Sequence, residues 1–303
     1  MKKVLVIGAG GFMGQHVTRR LAEQGDTVVG LDKFKPAETG HILEWHDTDS
    51  HDLNYLKQAA EGCHAAVFLG GYSRPGDRVR SIVEAVPEEL THPAQVAEAC
   101  ADVGVKRFVF TSSGGTVYGP VETHPTPESE GNKPLNAYGV AKLAAEHFLR
   151  LLSNASTIDV SVLRVSNPYG PGQLARRGQG FIAAAMNAAF SGEPLEIWGD
   201  GSVVRDFIYV GDVADAFAAA CHSPNPFDLV NISFGAGASL REICEGVEAA
   251  SGKTLDVRYT DGRAADVPIS VLDNRLAAEV LNWRPQTPLA EGLRKTANWW
   301  KTR

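Results

Sequence analysis

The sequence predicts an α/β fold, in which a Rossmann-type, doubly wound parallel sheet is followed by a smaller α/β substrate-binding lobe. Short, continuously apolar segments alternate with helical segments over the first half of the 303-residue chain. This alternation is typical of parallel strands joined by right-handed crossovers and covered by helices on both faces. The predicted strands are residues 4–7, 27–31, 65–69, 107–111 and 160–163.

The sequence pattern changes after Asn167, where turns rich in glycine and proline become more frequent. Helical patterns cover residues 12–23, 53–60, 93–103 and 137–152 before this point, and 181–191, 212–221, 240–251 and 289–300 after it. We therefore predict a dinucleotide-binding domain over residues 1–165, with segments that return to it from about residues 206–230. Residues 166–303 are predicted to form mainly the substrate-binding lobe.

The first predicted strand leads into a glycine-rich turn. Gly8, Gly11 and Gly14 are spaced as G-x-x-G-x-x-G, and the helical pattern starts at Phe12-Met13. Glycines at this spacing let backbone N–H groups at the positive N-terminus of a helix approach a pyrophosphate. The alternative is a turn that binds nothing, but a strand before it and a helix after it favour a dinucleotide site.

An acidic residue follows the second predicted strand. Asp32 comes directly after the apolar segment 27–31. A carboxylate at this position accepts hydrogen bonds from both ribose hydroxyls and repels a 2′-phosphate. The sequence therefore predicts NAD rather than NADP as the cofactor.

Composition excludes several other classes of protein. The net charge of −7, without a basic tract, argues against nucleic acid as a partner. No stretch approaches the roughly 20 apolar residues that span a bilayer, so no membrane association is predicted. Four widely spaced cysteines predict a reduced, cytoplasmic protein. The spacing of His41, His46 and His51 fits no common metal motif, and no metal is predicted.

Tyr138 and Lys142 lie one helical turn apart in an alanine-rich segment and share a helix face. A lysine ammonium beside a tyrosine favours the phenolate, so Lys142 is expected to lower the pKa of Tyr138. The pair is then a candidate general base, although Tyr-x-x-x-Lys also occurs by chance. The preceding strand ends in Thr111-Ser112-Ser113, and a hydroxyl there could hold a substrate oxygen next to Tyr138.

With these residues in view, the chain resembles the extended short-chain dehydrogenase/reductase family, and within it the NAD-dependent sugar epimerase/dehydratase group. The similarity covers nearly the whole length. It rests on GAGGFMG at 8–14, SSGGTVYG at 112–119, YGVAK at 138–142, RVSNPYGPGQ at 164–173, GDGSVVRDFIYVGDV at 199–213 and GRAADVP at 262–268.

The resemblance implies a homodimer that binds a nucleotide-diphosphate sugar in the C-terminal lobe. By motif position, Asn167, Arg205 and Arg263 correspond to diphosphate contacts and Asp266 to a ribose contact. Thr116 and Ser270 correspond to further substrate contacts, and Asp47 and Leu69 to cofactor contacts. Ser113, Tyr138 and Lys142 correspond to the catalytic group, with Tyr138 and Lys142 also contacting NAD.

The chain departs from the family pattern at three places. The usual catalytic Ser/Thr, counted back from Val117, falls on Gly114, whereas Ser113 keeps the usual interval to Tyr138 and is assigned instead. Relatives carry an Asn that supports the catalytic lysine, but the aligned stretch here is PEELT at 87–91. Gly114-Gly115 also stand where 4,6-dehydratases carry the Asp-Glu pair that shuttles a proton.

The function that this resemblance implies is 4-epimerisation of a UDP-hexose, UDP-glucose or UDP-GlcNAc, through a transient 4-keto sugar. One alternative is an NAD-dependent sugar oxidoreductase, such as a uronate dehydrogenase or a keto-sugar reductase. A second is a catalytically silent regulator that senses NAD, which the missing Asn favours and the intact Tyr138/Lys142 pair opposes.

Overall fold

A computed structural model describes residues 2–71, 87–175, 180–261 and 267–303. The strands are β1 (Lys3–Ile7), β2 (Thr27–Leu31), β3 (Glu44–His46), β4 (Ala65–Phe68), β5 (Arg107–Ser113), β6 (Asp159–Val165), β7 (Asn167–Tyr169), β8 (Leu195–Trp198), β9 (Val204–Tyr209), β10 (Leu229–Ile232), β11 (Gly237–Ser239), β12 (Val257–Thr260) and β13 (Ile269–Ser270). The helices are α1 (Phe12–Glu23), α2 (Leu53–Ala60), α3 (His92–Asp102), α4 (Gly114–Val117), α5 (Ala137–Ala155), α6 (Phe181–Ser191), α7 (Val210–His222), α8 (Leu240–Ser251), α9 (Arg275–Leu281) and α10 (Leu289–Trp300). A π-helical turn, Pro87–Thr91, leads directly into α3.

Seven parallel strands form the central sheet, in the order β10-β6-β5-β4-β1-β2-β3. The order reverses between β1 and β4, and ligands of such sheets bind outside the carboxyl ends of the strands at this switch point. The predicted doubly wound α/β fold is therefore confirmed. All five predicted strands lie in this sheet, and β3 and β10 complete its two edges.

The sheet is buried on both faces, as its continuous apolar strands predict. Val4 and Val6 of β1 join one core cluster, while Leu5 and Ile7 join the other. The first cluster contains residues of α1, α7 and α9, and the second contains residues of α2, α3 and α5. Alternate side chains of β1 thus pack against helices on opposite faces of the sheet.

The C-terminal half contains a second, smaller arrangement of strands. Strand β9 pairs with β7, β11 and β13, and β8 pairs with β12. Helices α6, α8 and α10 contribute to a third core cluster beside these strands. Between β9 and β11, the chain returns to the central sheet through α7 and β10. A boundary between two domains at residue 165 stays a prediction.

A buried ion pair fixes α5 to the central sheet. The Arg164 guanidinium of β6 donates hydrogen bonds to the Glu146 carboxylate of α5 at 2.6–3.2 Å, and the Ser112 hydroxyl of β5 donates to the same carboxylate. Both charged side chains are almost fully buried. Removing one charge of a buried pair leaves the other without compensation, so this contact locks the orientation of α5.

We expect Glu146→Ala to lower the free energy of unfolding by about 3–5 kcal/mol, because it leaves the Arg164 charge buried and unpaired. Urea denaturation followed by circular dichroism measures this loss. Glu291→Ala breaks the exposed Glu291–Lys295 pair of α10 and serves as the matched control, with an unchanged midpoint. A loss below about 1 kcal/mol for Glu146→Ala would contradict this role for the pair.

Candidate active site

A cleft lies at the switch point, outside the carboxyl ends of β1, β2, β3 and β4. It is lined by Ile7, Gly8, Gly11, Leu31, Asp32, Lys33, Thr48, Asp49, Ser50, Leu69, Gly70 and Gly71. Four of the predicted cofactor residues, Gly8, Gly11, Asp32 and Leu69, are among them. Four consecutive strands of the parallel sheet therefore contribute their ends to one site, as a dinucleotide requires.

The glycine-rich turn brings α1 directly against β1. Gly8 has a φ of +85°, a conformation that L side chains rarely adopt. A Cβ on Gly14 would lie 2.0 Å from the Gly8 carbonyl oxygen, so no larger residue fits there. Gly11 is the N-cap of α1 and has no side chain to cover the first N–H groups of the helix. These groups, on Phe12 and Met13, fit a pyrophosphate.

The Asp32 carboxylate is held at the end of β2 by two backbone donors. Gly10 N–H and Phe34 N–H each donate to it at 2.9 Å. This places a negative charge beside the glycine turn, where the ribose of a dinucleotide lies. Asp47 is exposed, and the three residues that follow it line the cleft. A contact between Asp47 and adenine stays a prediction.

The predicted catalytic residues meet where β5 faces the first two turns of α5. Ser113 ends β5, and its side chain lies close enough to Tyr138 to lower the pKa of the phenol. The Asn136 side chain caps α5 by accepting a hydrogen bond from Gly139 N–H at 2.8 Å, which fixes Tyr138 in the first turn. Lys142 lies one turn further on, and its Nζ is 5.7 Å from the centre of the Tyr138 ring.

A buried carboxylate that sequence reasoning missed completes this group. Glu89 Oε2 lies 3.0 Å from Lys142 Nζ, and both side chains are almost fully buried. Lys142 Nζ also donates to the Thr111 carbonyl at 3.4 Å. Glu89 belongs to the π-helical turn at 87–91, the stretch in which the family pattern carries Asn. The sequence did contain a signal for this contact, because the charged residues of PEELT lie where relatives carry the Asn that supports the catalytic lysine.

Burial raises the pKa of Tyr138, and the net shift is upward. Lys142 and the Ser113 side chain lower the pKa of Tyr138, whereas the Glu89 carboxylate raises it. Lys142 thus lowers the pKa of Tyr138, as predicted, but burial and Glu89 outweigh its effect in the protein alone. Burial lowers the pKa of Lys142, but Tyr138 and Glu89 outweigh this effect, so the pKa of Lys142 is raised.

A side chain at residue 114 would require Leu272 to move. A Cβ on Gly114 would lie 2.3 Å from Leu272 Cδ1 and 3.1 Å from the Arg164 carbonyl oxygen. The preceding residue, Ser113, reaches Tyr138 instead. The Thr116 hydroxyl, on the short helix α4, donates to the Ser113 carbonyl at 3.5 Å, so it lies on the same side of the site.

Three predicted substrate residues meet on the small sheet around β9. Asn167 of β7 pairs with Phe207, and Ser270 of β13 pairs with Arg205 of β9. The Arg205 guanidinium donates to the Val267 carbonyl at 2.7 Å. A Cβ on Gly115 would lie 3.8 Å from Asn167 Oδ1, which places this sheet beside α4. Arg263 and Asp266, the other two predicted contacts, lie outside the described residues.

Asp206, next to Arg205, accepts hydrogen bonds that tie the small sheet together. Its donors are the Ser166 hydroxyl at 3.0 Å and the backbone N–H groups of Phe234, Gly235 and Leu272 at 2.9, 3.0 and 3.4 Å. Burial raises the pKa of Asp206 to about 6, against the opposing effect of these hydrogen bonds. This buried carboxylate orients β9, and therefore Arg205.

The three N-terminal histidines lie apart. His41 contacts the Thr18 hydroxyl, His46 contacts the Tyr55 hydroxyl and His51 contacts the Asp49 carboxylate. Among the described residues, no group of three or more potential metal ligands comes together. Within the same part of the chain, no helix has the length and apolar character needed to cross a membrane. The four cysteines are buried free thiols.

Comparison with known proteins agrees with this geometry. The model of the NAD-dependent epimerase/dehydratase family matches residues 4–233. The chain is 33% identical to a UDP-glucose 4-epimerase of Mycolicibacterium smegmatis over 99% of both chains. It is 27% identical to a dTDP-4-dehydro-6-deoxyglucose reductase of Escherichia coli, over 96% of this chain and 95% of the relative.

A similar solved structure is that of UDP-glucose 4-epimerase from Thermotoga maritima with UDP-glucose. The two chains share 29% identity and a TM-score of 0.92, with 99% of each chain covered. NAD is the cofactor of the enzyme, which acts on nucleotide sugars as an epimerase. The chain belongs to the NAD-dependent epimerase/dehydratase family, within the extended short-chain dehydrogenases/reductases.

Proposed function

We propose that the protein is a UDP-hexose 4-epimerase that acts through a transient 4-keto sugar, with UDP-glucose or UDP-GlcNAc as substrate. The observation that carries this proposal is the position of Tyr138 and Lys142 next to both the dinucleotide cleft and the small sheet. A Cβ on Gly71, which lines the cleft, would lie 3.9 Å from Oε1 of Glu89, the partner of Lys142, and a Cβ on Gly115 of α4 would lie 3.8 Å from Asn167 Oδ1. A sugar tethered on that sheet can reach both the base and the cofactor.

In this mechanism, ionised Tyr138 removes the proton from the sugar O4. Ser113 donates a hydrogen bond that orients the same oxygen. The Lys142 ammonium favours the phenolate and would also hold the nicotinamide ribose of bound NAD. NAD, when bound in the cleft, supplies the hydride acceptor and donor at C4. Tyr138 then returns its proton to O4 after the keto sugar has turned.

The diphosphate must hold the substrate while the sugar turns. We assign this role to Arg205, Arg263 and Asn167, because two guanidinium groups bind a diphosphate through charged, bidentate hydrogen bonds. Asp266 is assigned to the nucleoside ribose. Gly114-Gly115 provide no acid/base pair after Ser113, which disfavours dehydration relative to epimerisation.

We expect Tyr138→Phe to lower kcat with a UDP-hexose by about 10²–10⁴-fold, because the general base is lost. NMR of a panel of sugar nucleotides, incubated with the purified enzyme without added NAD, measures turnover. Tyr259→Phe removes a hydroxyl from an exposed tyrosine of β12 and serves as the matched control. Full activity of Tyr138→Phe with every sugar nucleotide would contradict the proposal.

Repeating the panel with added NAD, and then with added NADH, distinguishes the second candidate, a sugar oxidoreductase, which the likeness to a keto-sugar reductase supports. An epimerase needs no stoichiometric cofactor, whereas a dehydrogenase releases NADH and a reductase consumes it. Stoichiometric change in the absorbance of NADH would favour the oxidoreductase. Its absence during sugar conversion would favour the epimerase.

We expect Ser270→Tyr to lower kcat/KM for UDP-GlcNAc relative to UDP-glucose by about 10–100-fold, because a bulky ring would occupy the space for the acetamido group. Ser270 is partly buried and lies opposite Arg205, beside the proposed diphosphate site. Ser270→Ala, which keeps the site small, is expected to leave this ratio unchanged. An unchanged ratio in Ser270→Tyr would remove Ser270 from the specificity site.

We further propose that the protein forms a homodimer through α5. Val140, Phe148 and Leu151 are more than half exposed on this helix, although they are apolar. Burying such residues against a second copy would be favourable. We expect sedimentation to show a dimer, and Phe148→Glu to shift it towards monomer. A wild-type monomer would contradict this proposal. The predicted cytoplasmic location stays a prediction.

A further inference from the structure

Lys142 has a buried partner that the mechanism above does not use. Its ammonium lies 3.0 Å from the Glu89 carboxylate, and the two side chains are 4% and 1% exposed. Separating the two charges in such surroundings would take the ammonium away from its compensating carboxylate where water barely reaches. The contact therefore constrains where Lys142 Nζ can lie.

The backbone around Glu89 is unusual. Glu89 lies in the π-helical turn Pro87–Thr91, which packs against α5 and precedes α3. Such turns are rare and occur frequently at functional sites, because they displace a side chain from its regular helical position. Here the turn directs the Glu89 carboxylate to the face of α5 that carries Tyr138 and Lys142.

The other groups that face Lys142 come from β5 and α5. The Thr111 carbonyl accepts a hydrogen bond at 3.4 Å, and the ammonium lies 4.9 Å from the centre of the Phe110 ring. Tyr138 and Glu146 also act on the Lys142 charge. Glu146 is already compensated by Arg164, so the Glu89 carboxylate is the anion that meets the ammonium directly.

We propose that Glu89 is a positioning residue for the reaction, which fixes Lys142 next to Tyr138 and offsets part of the lysine charge. This inference rests on the proposed function, in which Tyr138 is the base. Offsetting the charge of Lys142 removes part of its attraction for the phenolate. Tyr138 therefore keeps its proton to a higher pH than it would beside Lys142 alone.

The test is the pH dependence of kcat/KM for the holoenzyme and its Glu89→Gln variant. Activity requires ionised Tyr138, so kcat/KM rises with pH through the pKa of Tyr138. Glu89→Gln removes a charge that raises this pKa, so the rise is expected at lower pH than in the wild type. At the plateau, kcat is expected to fall about tenfold because Lys142 is held less firmly.

Two further variants separate charge from position. Glu89→Asp keeps the charge but shortens the side chain, so it should retain the wild-type pH for the rise while losing plateau activity. Glu88→Gln removes the neighbouring carboxylate, which faces His51 at 3.3 Å, and should keep both the pH profile and kcat. An equal shift in Glu88→Gln and Glu89→Gln would overturn the assignment to Glu89.

A spectroscopic titration makes the result independent of turnover. The near-ultraviolet absorbance of tyrosinate is measured against pH for the wild type and for Glu89→Gln, each compared with the same protein carrying Tyr138→Phe. The difference should show Tyr138 ionising at lower pH in Glu89→Gln. Coincident titrations would overturn the inference about Glu89. An inactive wild type with a shifted titration would overturn only the proposed function.

Discussion

The site depends on keeping one ammonium charge in a place that water barely reaches. Lys142 must remain protonated to favour the Tyr138 phenolate, yet burial acts to remove that proton. The Thr111 carbonyl, the Phe110 ring and the Glu89 carboxylate surround the ammonium and oppose this effect. Strand β5, helix α5 and the π-helical turn therefore have to keep their mutual positions, because each contributes a group to the same charge.

The strand that supplies the catalytic hydroxyl also fixes the helix that supplies the base. Ser112 donates to Glu146 of α5, and Ser113 lies close to Tyr138 at the beginning of that helix. The buried Arg164–Glu146 pair joins α5 to β6 as well. Two adjacent serines thus serve different purposes: Ser112 helps to fix α5 on the sheet, and Ser113 lies next to the base that α5 carries.

The parts of the fold that the sequence predicted are those whose structure depends on local pattern. Strands buried on both faces are continuous apolar runs, and the glycine turn has a fixed spacing. The central sheet and the cleft at its edge could therefore be predicted from the sequence. The short strands β11 and β13 depend on pairing with the distant β9, which leaves little trace in local sequence. Glu89 was missed because its contact with Lys142 joins residues far apart in the chain. The upward effect of burial on the pKa of Tyr138 could not be predicted either, because burial is a property of the folded chain.

The raised pKa of Tyr138 is consistent with its proposed role as the base in epimerisation. In the protein alone, burial and Glu89 together outweigh Lys142, so Tyr138 holds its proton at neutral pH. Ionisation then needs further positive charge near the phenol, and the nicotinamide ring of oxidised NAD carries such a charge. A Tyr138–Lys142 pair without Glu89 would ionise more readily whether or not the cleft was filled. Because the Glu89 carboxylate raises the pKa of Tyr138, it makes ionisation depend more strongly on any positive charge that a bound cofactor would bring near the phenol.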